Sequence, residues 1–344
     1  MKLQRIIFSA IALNLLFITY RCSITPLVGD ALNHLSQIES LRQGIFPEFH
    51  IYLLMQLIPL IESFIISAYL AVQYAPVYYS ALYMFGNYLL ARALKLSDGQ
   101  TAILVILSAI PMLPHKATFT SCMAGLVFPL YIALVFKVVS GSARVYMLLL
   151  ILATILLPLF HPQLLEAGLI FLAVVMIIYR SKYLSLFGAS LALSTLTVAL
   201  IFWQSNNWPL YKIPIRFFVS LFNELSHDGL ALLGNKIFLI LNSGMIGNLN
   251  IGQWLIVHWE LLPVLAISIL AILGFYKNRG IKAYQVLFFT LLIFGGMYSV
   301  YLLNIVQNDI WIVMRMLYFI PPMALPLVSG IFAKMELMSR YFNV

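Results

Sequence analysis

Asp30 and His34 stand one helical turn apart in Gly29-Asp30-Ala31-Leu32-Asn33-His34, and they are the first side chains of the sequence that can move a proton together. A carboxylate held against a hydroxyl accepts its proton, and a histidine on the same helical face can orient that carboxylate or bind the substrate. An aspartate at a helix start can also serve as an N-cap that satisfies the first free amides, and the spacing leaves both uses open. His115 and Lys116 lie together between two apolar runs, where the lysine either meets a phosphate or simply marks a span end. His161-Pro162-Gln163, with Glu166 one turn further on, joins two more apolar runs. That pair can line a substrate cavity, or it can cap a tight turn between helices. Arg315 sits five residues inside an apolar run. At a helix centre in lipid an arginine costs about 2.5–3.5 kcal/mol on insertion scales, so it faces a cavity, an anion or the interface. Its planar fork of donors suits a phosphate. Asp309 is six residues away and so lies on another side of a helix, which makes it an awkward partner. The two cysteines, Cys22 and Cys122, are too few for a disulfide framework or a metal cluster. The histidines fall at the ends of apolar runs rather than at depth on facing helices, which argues against haem.

These residues must be held by a scaffold dissolved in lipid. Apolar residues make up 63% of the 344, charged residues 9%, and mean hydropathy is +1.00. A soluble domain carries about a quarter charged residues. The composition predicts an all-α, polytopic membrane protein, a single transmembrane domain over 1–344 with no soluble domain. A spanning helix needs about 20 apolar residues. Candidate spans are 5–23, 69–94, 100–114, 118–139, 143–161, 162–180, 183–203, 258–276, 282–304 and 310–334. The N-terminus resembles a signal peptide, but Arg21, Cys22 and Ser23 offer no small-residue cleavage site, so an uncleaved first span is expected.

Net charge is +9, and the basic residues come in pairs between the apolar runs. That pattern belongs to the positive-inside rule rather than to nucleic-acid binding. With Met1 inside, the inner segments hold Lys2 and Arg5, Arg92 and Lys95, Lys137 and Arg144, Arg180 and Lys182, Lys277, Arg279 and Lys282, then Lys334 and Arg340. The predicted location is a cell membrane, with both termini cytoplasmic. Most acids, and all six histidines, then fall on the outer side. Titratable chemistry is concentrated on one face.

Two outer segments are long. In 22–68, residues 29–44 read as an amphipathic helix, with Leu32, Leu35, Ile38, Leu41 and Ile45 on one face and Asp30, His34 and Gln37 on another. Residues 49–61 are apolar, interrupted by Pro59 and too short to span, so an interfacial or re-entrant helix is expected. The second segment, 204–257, carries Trp208 and Trp254, rings suited to the headgroup layer. No internal repeat or low-complexity tract is present.

The order of an inner tail, one span, an outer loop opening on Gly29-Asp30, an amphipathic helix, a short apolar helix after Phe46-Pro47-Glu48-Phe49-His50, and a long span ending Leu89-Leu90-Ala91-Arg92-Ala93-Leu94 resembles the N-terminal module of GT-C membrane glycosyltransferases. These include protein mannosyltransferases, aminoarabinose transferases and catalytic oligosaccharyltransferase subunits. The likeness covers the layout of about residues 1–140, and Arg315-Met316-Leu317-Tyr318-Phe319-Ile320-Pro321 looks like the last spans of many prokaryotic members. The resemblance implies transfer of a sugar from a polyprenyl-phosphate carrier to an acceptor on the outer face. It implies Asp30 as catalytic base or metal ligand, and Arg315 near the carrier phosphate. His34, Lys116 and His161 are the further substrate-binding candidates. The family's acids in the loop around His115 are absent before Thr118, so no divalent cofactor is expected.

Expected partners are the lipid-linked sugar, membrane lipids and other membrane subunits, with no nucleic acid. Two other readings stay open: a transporter or flippase for a lipid-linked or anionic substrate, and a non-catalytic assembly subunit. A transporter would carry inverted repeats and broken helices at the midplane.

Overall fold

The computed structural model describes residues 2–45, 53–110, 123–141, 144–179, 188–189, 192–193, 245–246, 249–250, 252–253, 262–302 and 315–332. The described chain is helical except for one antiparallel pair of two-residue strands, Met245–Ile246 and Leu249–Asn250. An apolar chain without water to bond its amides closes those bonds within each helix, which accounts for this near-uniform choice.

The order is α1 (Lys2–Ile24), α2 (Asp30–Arg42), α3 (Leu53–Glu62), α4 (Ala68–Ala93), α5 (Asp98–Ala109), α6 (Met123–Val139), α7 (Arg144–Phe160) and α8 (Pro162–Tyr179). After the strands come α9 (Leu262–Asn278), α10 (Lys282–Leu302), a 3-10 turn (Arg315–Phe319) and α11 (Ile320–Ile331). The apolar runs read as spans coincide with α1, α4 to α10 and, at the C-terminal end, the 3-10 turn with α11. The run 183–203 falls almost wholly outside the described residues, as does most of 204–257. Among the described residues, Gln4–Ile24 is the helix long and apolar enough by length and composition to cross a membrane, and seven further apolar helices are shorter, of 10–17 residues.

α4 is the central element, packed on α1, α2, α3, α5 and α6. It starts at Ser67, whose Oγ accepts from the Leu70 amide at 3.2 Å. α5 starts with a capping box between Ser97 and Gln100. The core is aromatic as well as aliphatic. Phe128 of α6 meets Phe319 edge-on at 5.0 Å, and lies within 6.3 Å of Phe171 in α8 and Phe294 in α10. Small residues admit the closest approaches. A Cβ on Gly125 would sit 2.7 Å from the Tyr318 carbonyl oxygen, so only glycine lets the 3-10 turn seat against α6.

The outward faces are apolar too. Phe8, Leu13 and Leu16 on α1, Leu148 on α7 and Ile269 on α9 are each more than half exposed. Exposed apolar helix faces of this kind suit contact with lipid.

Helix ends that carry basic residues meet one another. Lys282 at the start of α10 lies 5.6 Å from the Tyr179 ring at the end of α8. Lys277 at the end of α9 donates to the Ile331 carbonyl at the end of α11, 2.6 Å away. A cation at a helix C-terminus meets both its open carbonyls and its dipole. Arg92 and Asp98 face each other at 3.5 Å across the α4–α5 turn. Both are well exposed, so this pair contributes little.

Candidate functional site

α2 begins at a glycine. Gly29 occupies the N-cap with φ 54°, a left-handed conformation that L side chains rarely adopt. Asp30 is therefore the first helical residue and not the cap, with its carboxylate in the first turn, where the helix dipole favours an anion. One turn on, His34 Nε2 lies 3.9 Å from Asp30 Oδ2. His34 is almost fully buried, while the Asp30 side chain keeps about a third of its exposure. The structure thus brings these two candidates together, one inside the protein and one at its edge.

The face of α2 turned to the protein is Ala31, His34 and Ile38. Leu32 and Ile45 point outward, 47% and 57% exposed. The expected division into an apolar and a polar face holds only in part, since Ile38 of the first and His34 of the second are both buried while Leu32 and Ile45 are exposed. His34 is inside because α3 offers it a partner. Gln56 Nε2 lies 2.9 Å from His34 Nδ1, and the same nitrogen donates to Gln37 Oε1.

Pro59 explains where α3 sits. Proline has no amide hydrogen, so the Met55 carbonyl four residues earlier loses its helical donor. Tyr79 of α4 donates its hydroxyl to that carbonyl at 2.7 Å. The same Tyr79 ring packs edge-on against Phe160 at the end of α7, 6.1 Å between centroids. Gln56, next to Met55, is thereby presented to α2. Burial pushes the carboxyl of Glu62, at the end of α3, above its usual range.

The other side of α3 opens on an apolar cavity of about 240 Å³. Leu54 of α3, Leu130 and Tyr131 of α6, Ala153 and Phe160 of α7 and Leu164 of α8 line it. It is larger than the roughly 150 Å³ apolar cavity that stays dry and admits benzene. Its principal polar atom is the Tyr131 hydroxyl, 3.1 Å from Thr154 Oγ1, so it offers hydrocarbon a place and water none.

His161 stands at the N-cap of α8. Its carbonyl accepts from the Leu164 amide at 3.0 Å, and its Nδ1 from the Gln163 amide at 3.1 Å. This is the helix-capping arrangement, and it ties the turn between α7 and α8 beside the cavity. Arg315 begins the 3-10 turn that packs on α6, α8 and α10. Lys116 lies outside the described residues, as do His50 and His115.

The resemblance allows a metal at the first-loop acid. Among the described residues, no three His, Cys, Asp or Glu side chains converge. Asp30 has His34 beside it, and Glu48 and His50 of the same loop lie outside the described residues. Gln56 was missed by the sequence reading. Comparison with family models, curated proteins and solved structures gives no match.

Proposed function

We propose that this chain is a GT-C-like membrane glycosyltransferase that moves a sugar from a polyprenyl-phosphate carrier to an acceptor on the outer face of a prokaryotic cytoplasmic membrane. One observation carries the reading. An acid–histidine pair, its histidine buried and its acid at the protein edge, and an open apolar groove occupy opposite sides of the same short helix, α3. A soluble substrate has no use for such a groove, whereas a lipid-linked one needs a proton acceptor and a hydrocarbon channel side by side.

In this reading the chain crosses the membrane ten times, and its termini are cytoplasmic. The carrier's isoprenoid chain lies against α6 and α7. Asp30 takes the proton of the acceptor hydroxyl. The hydroxyl oxygen attacks the anomeric carbon from the face opposite the carrier, so the new glycosidic bond forms as the bond to the phosphate oxygen breaks, with inversion. The phosphate leaves with its electron pair. Arg315 meets that charge, and Lys116 helps to hold the leaving phosphate. Held donors in a site poor in water stabilise charge far more than they would in solution.

The test is photolabelling of the purified protein with a short-chain polyprenyl phosphate that carries a photoreactive group at the far end of the chain. Labelled peptides should map to α6 and α7 around Leu130 and Ala153, and unlabelled carrier should compete. Labelling spread over the exposed faces of α1 and α9, without competition, overturns the reading.

A further inference from the structure

The proposed reaction gives Asp30 and His34 their task, and the contact between α2 and α3 assigns a task to a residue outside that pair. We infer that Gln56 is a positioning residue. Its side-chain amide holds the neutral His34 ring in the tautomer that carries its proton on Nε2, facing Asp30. This inference rests on the glycosyltransferase reading for its consequence, and on geometry alone for the tautomer.

The argument starts at the carboxylate. Asp30 Oδ2 lies 3.9 Å from His34 Nε2. A negative oxygen at that distance favours the proton on the nitrogen it faces. In the neutral ring the other nitrogen, Nδ1, is then an acceptor and needs a donor. The atom opposite Nδ1 is Gln56 Nε2 at 2.9 Å. A primary amide nitrogen has two hydrogens, and the second goes to Gln37 Oε1. With Gln37 presenting its oxygen, both hydrogens of Gln56 are used, and the amide nitrogen is kept toward the ring. Gln56 itself is 2% exposed, so water does not compete for these bonds.

The main chain that carries Gln56 is fixed independently. Pro59 releases the Met55 carbonyl, and the Tyr79 hydroxyl holds it at 2.7 Å. A His34 ring set in this way turns its Nε2–H toward Asp30 Oδ2 across 3.9 Å, near enough for the carboxylate to favour the proton on that nitrogen though too far for a hydrogen bond. The Asp30 carboxylate, about a third exposed, stays open to the acceptor hydroxyl. Gln56 touches neither substrate nor Asp30, and acts through His34.

Gln56→Glu separates this role from helix packing. Glutamate has the same length and still bonds to the ring, but it accepts where glutamine donates. It draws the His34 proton to Nδ1 and leaves the Nε2 lone pair facing the Asp30 carboxylate. The decisive measurement is the 15N resonances of His34 in the detergent-solubilised protein, assigned by difference against His34→Gln. Wild type should show an unprotonated Nδ1 and a protonated Nε2, and Gln56→Glu should reverse or charge the ring. A wild-type ring protonated on Nδ1 overturns the inference whatever the enzyme does.

The second arm is turnover with a short-chain polyprenyl-phosphate sugar. Gln56→Glu should lower kcat at least tenfold with little change in the KM for carrier, while thermal stability stays near wild type. Gln56→Leu removes the packing bonds as well and should lose both. Equal kcat for wild type and Gln56→Glu, with the tautomer reversed, shows that Gln56 only joins two helices and overturns the positioning role. Absence of any transfer in wild type, with the tautomer as inferred, instead removes the glycosyltransferase reading and with it the catalytic consequence of the tautomer.

Discussion

Asp30 and His34 differ in kind although they sit on one helix a turn apart. Asp30 is at the protein edge because Gly29 relieves it of capping, and His34 is inside because Gln56 receives it. A base that retains access to solvent and acceptor, backed by a buried donor, is the order that proton abstraction requires. Asp30→Asn keeps the size and the first-turn position but loses the base. Transfer should fall by about 100- to 10,000-fold while the protein stays folded in detergent, as read by circular dichroism and gel filtration. Near-normal turnover would reduce Asp30 to a helix-start acid. Arg315→Lys keeps a charge but not the planar fork, and Arg315→Met keeps neither. Affinity for a short-chain polyprenyl phosphate should fall in the first and vanish in the second, with equal binding by all three assigning Arg315 to structure alone. Asp30 and His34 were legible because their side chains carry chemistry and their spacing carries geometry. Gln56 was not. Its partner is 22 residues away on another helix, and an amide has no chemical signature until its neighbour is known.

α3 has little stability of its own, since it runs only from Leu53 to Glu62 and holds a proline inside. A helix of that length is marginal in isolation, so its place depends on what α4 gives it. The Tyr79 hydroxyl is the main such contact. Tyr79→Phe leaves the Met55 carbonyl buried without this donor, at a cost of about 1–3 kcal/mol. Thermal stability in detergent should fall accordingly, and transfer should fall with it as Gln56 loses its register. Unchanged stability would show that α3 holds its position by apolar contact alone. The groove on the other face makes a separate prediction. Ala153→Phe fills it from the α7 side, so KM for a lipid-linked donor should rise severalfold more than kcat falls. A donor with a truncated isoprenoid tail should lose this discrimination. The helices were legible as apolar runs, and the face of α2 was not. Periodicity shows which side of a helix avoids water, but in a lipid-covered protein the apolar side can look outward and the polar side can find its partners inside. Leu32, exposed, and His34, buried, are the case in point.

At the scale of the whole molecule, the charges and the helix contacts make the proposed sidedness testable. The turn from α4 to α5 carries Arg92, Lys95 and Asp98, while the end of α1 meets the start of α4 through Gln73, whose Nε2 donates to the Cys22 carbonyl at 2.9 Å. α1 and α4 therefore run in opposite directions, and the beginning of α1, with Lys2 and Arg5, lies at the end of the bundle where α4 finishes. The ends of α8 and α9 and the start of α10 add Tyr179, Lys277 and Lys282 to the account, each joined to a neighbouring helix end. If cations stay on the cytoplasmic side, α2 and its Asp30–His34 pair are outside, and the α4–α5 turn is inside. The test is made in a Cys122→Ser background, since Cys122 lies outside the described residues, whereas the other native cysteine, Cys22, is fully buried. Ser36, exposed on α2, and Asp98, exposed at the start of α5, provide reporters on opposite sides. In intact cells a membrane-impermeant maleimide should label Ser36→Cys at once. It should label Asp98→Cys only after the membrane is opened. Labelling of Asp98→Cys in intact cells would invert the molecule. The acid–histidine pair would then face the cytoplasm, where activated sugars are soluble nucleotides, and a lipid-linked donor on the outer face would no longer be its substrate.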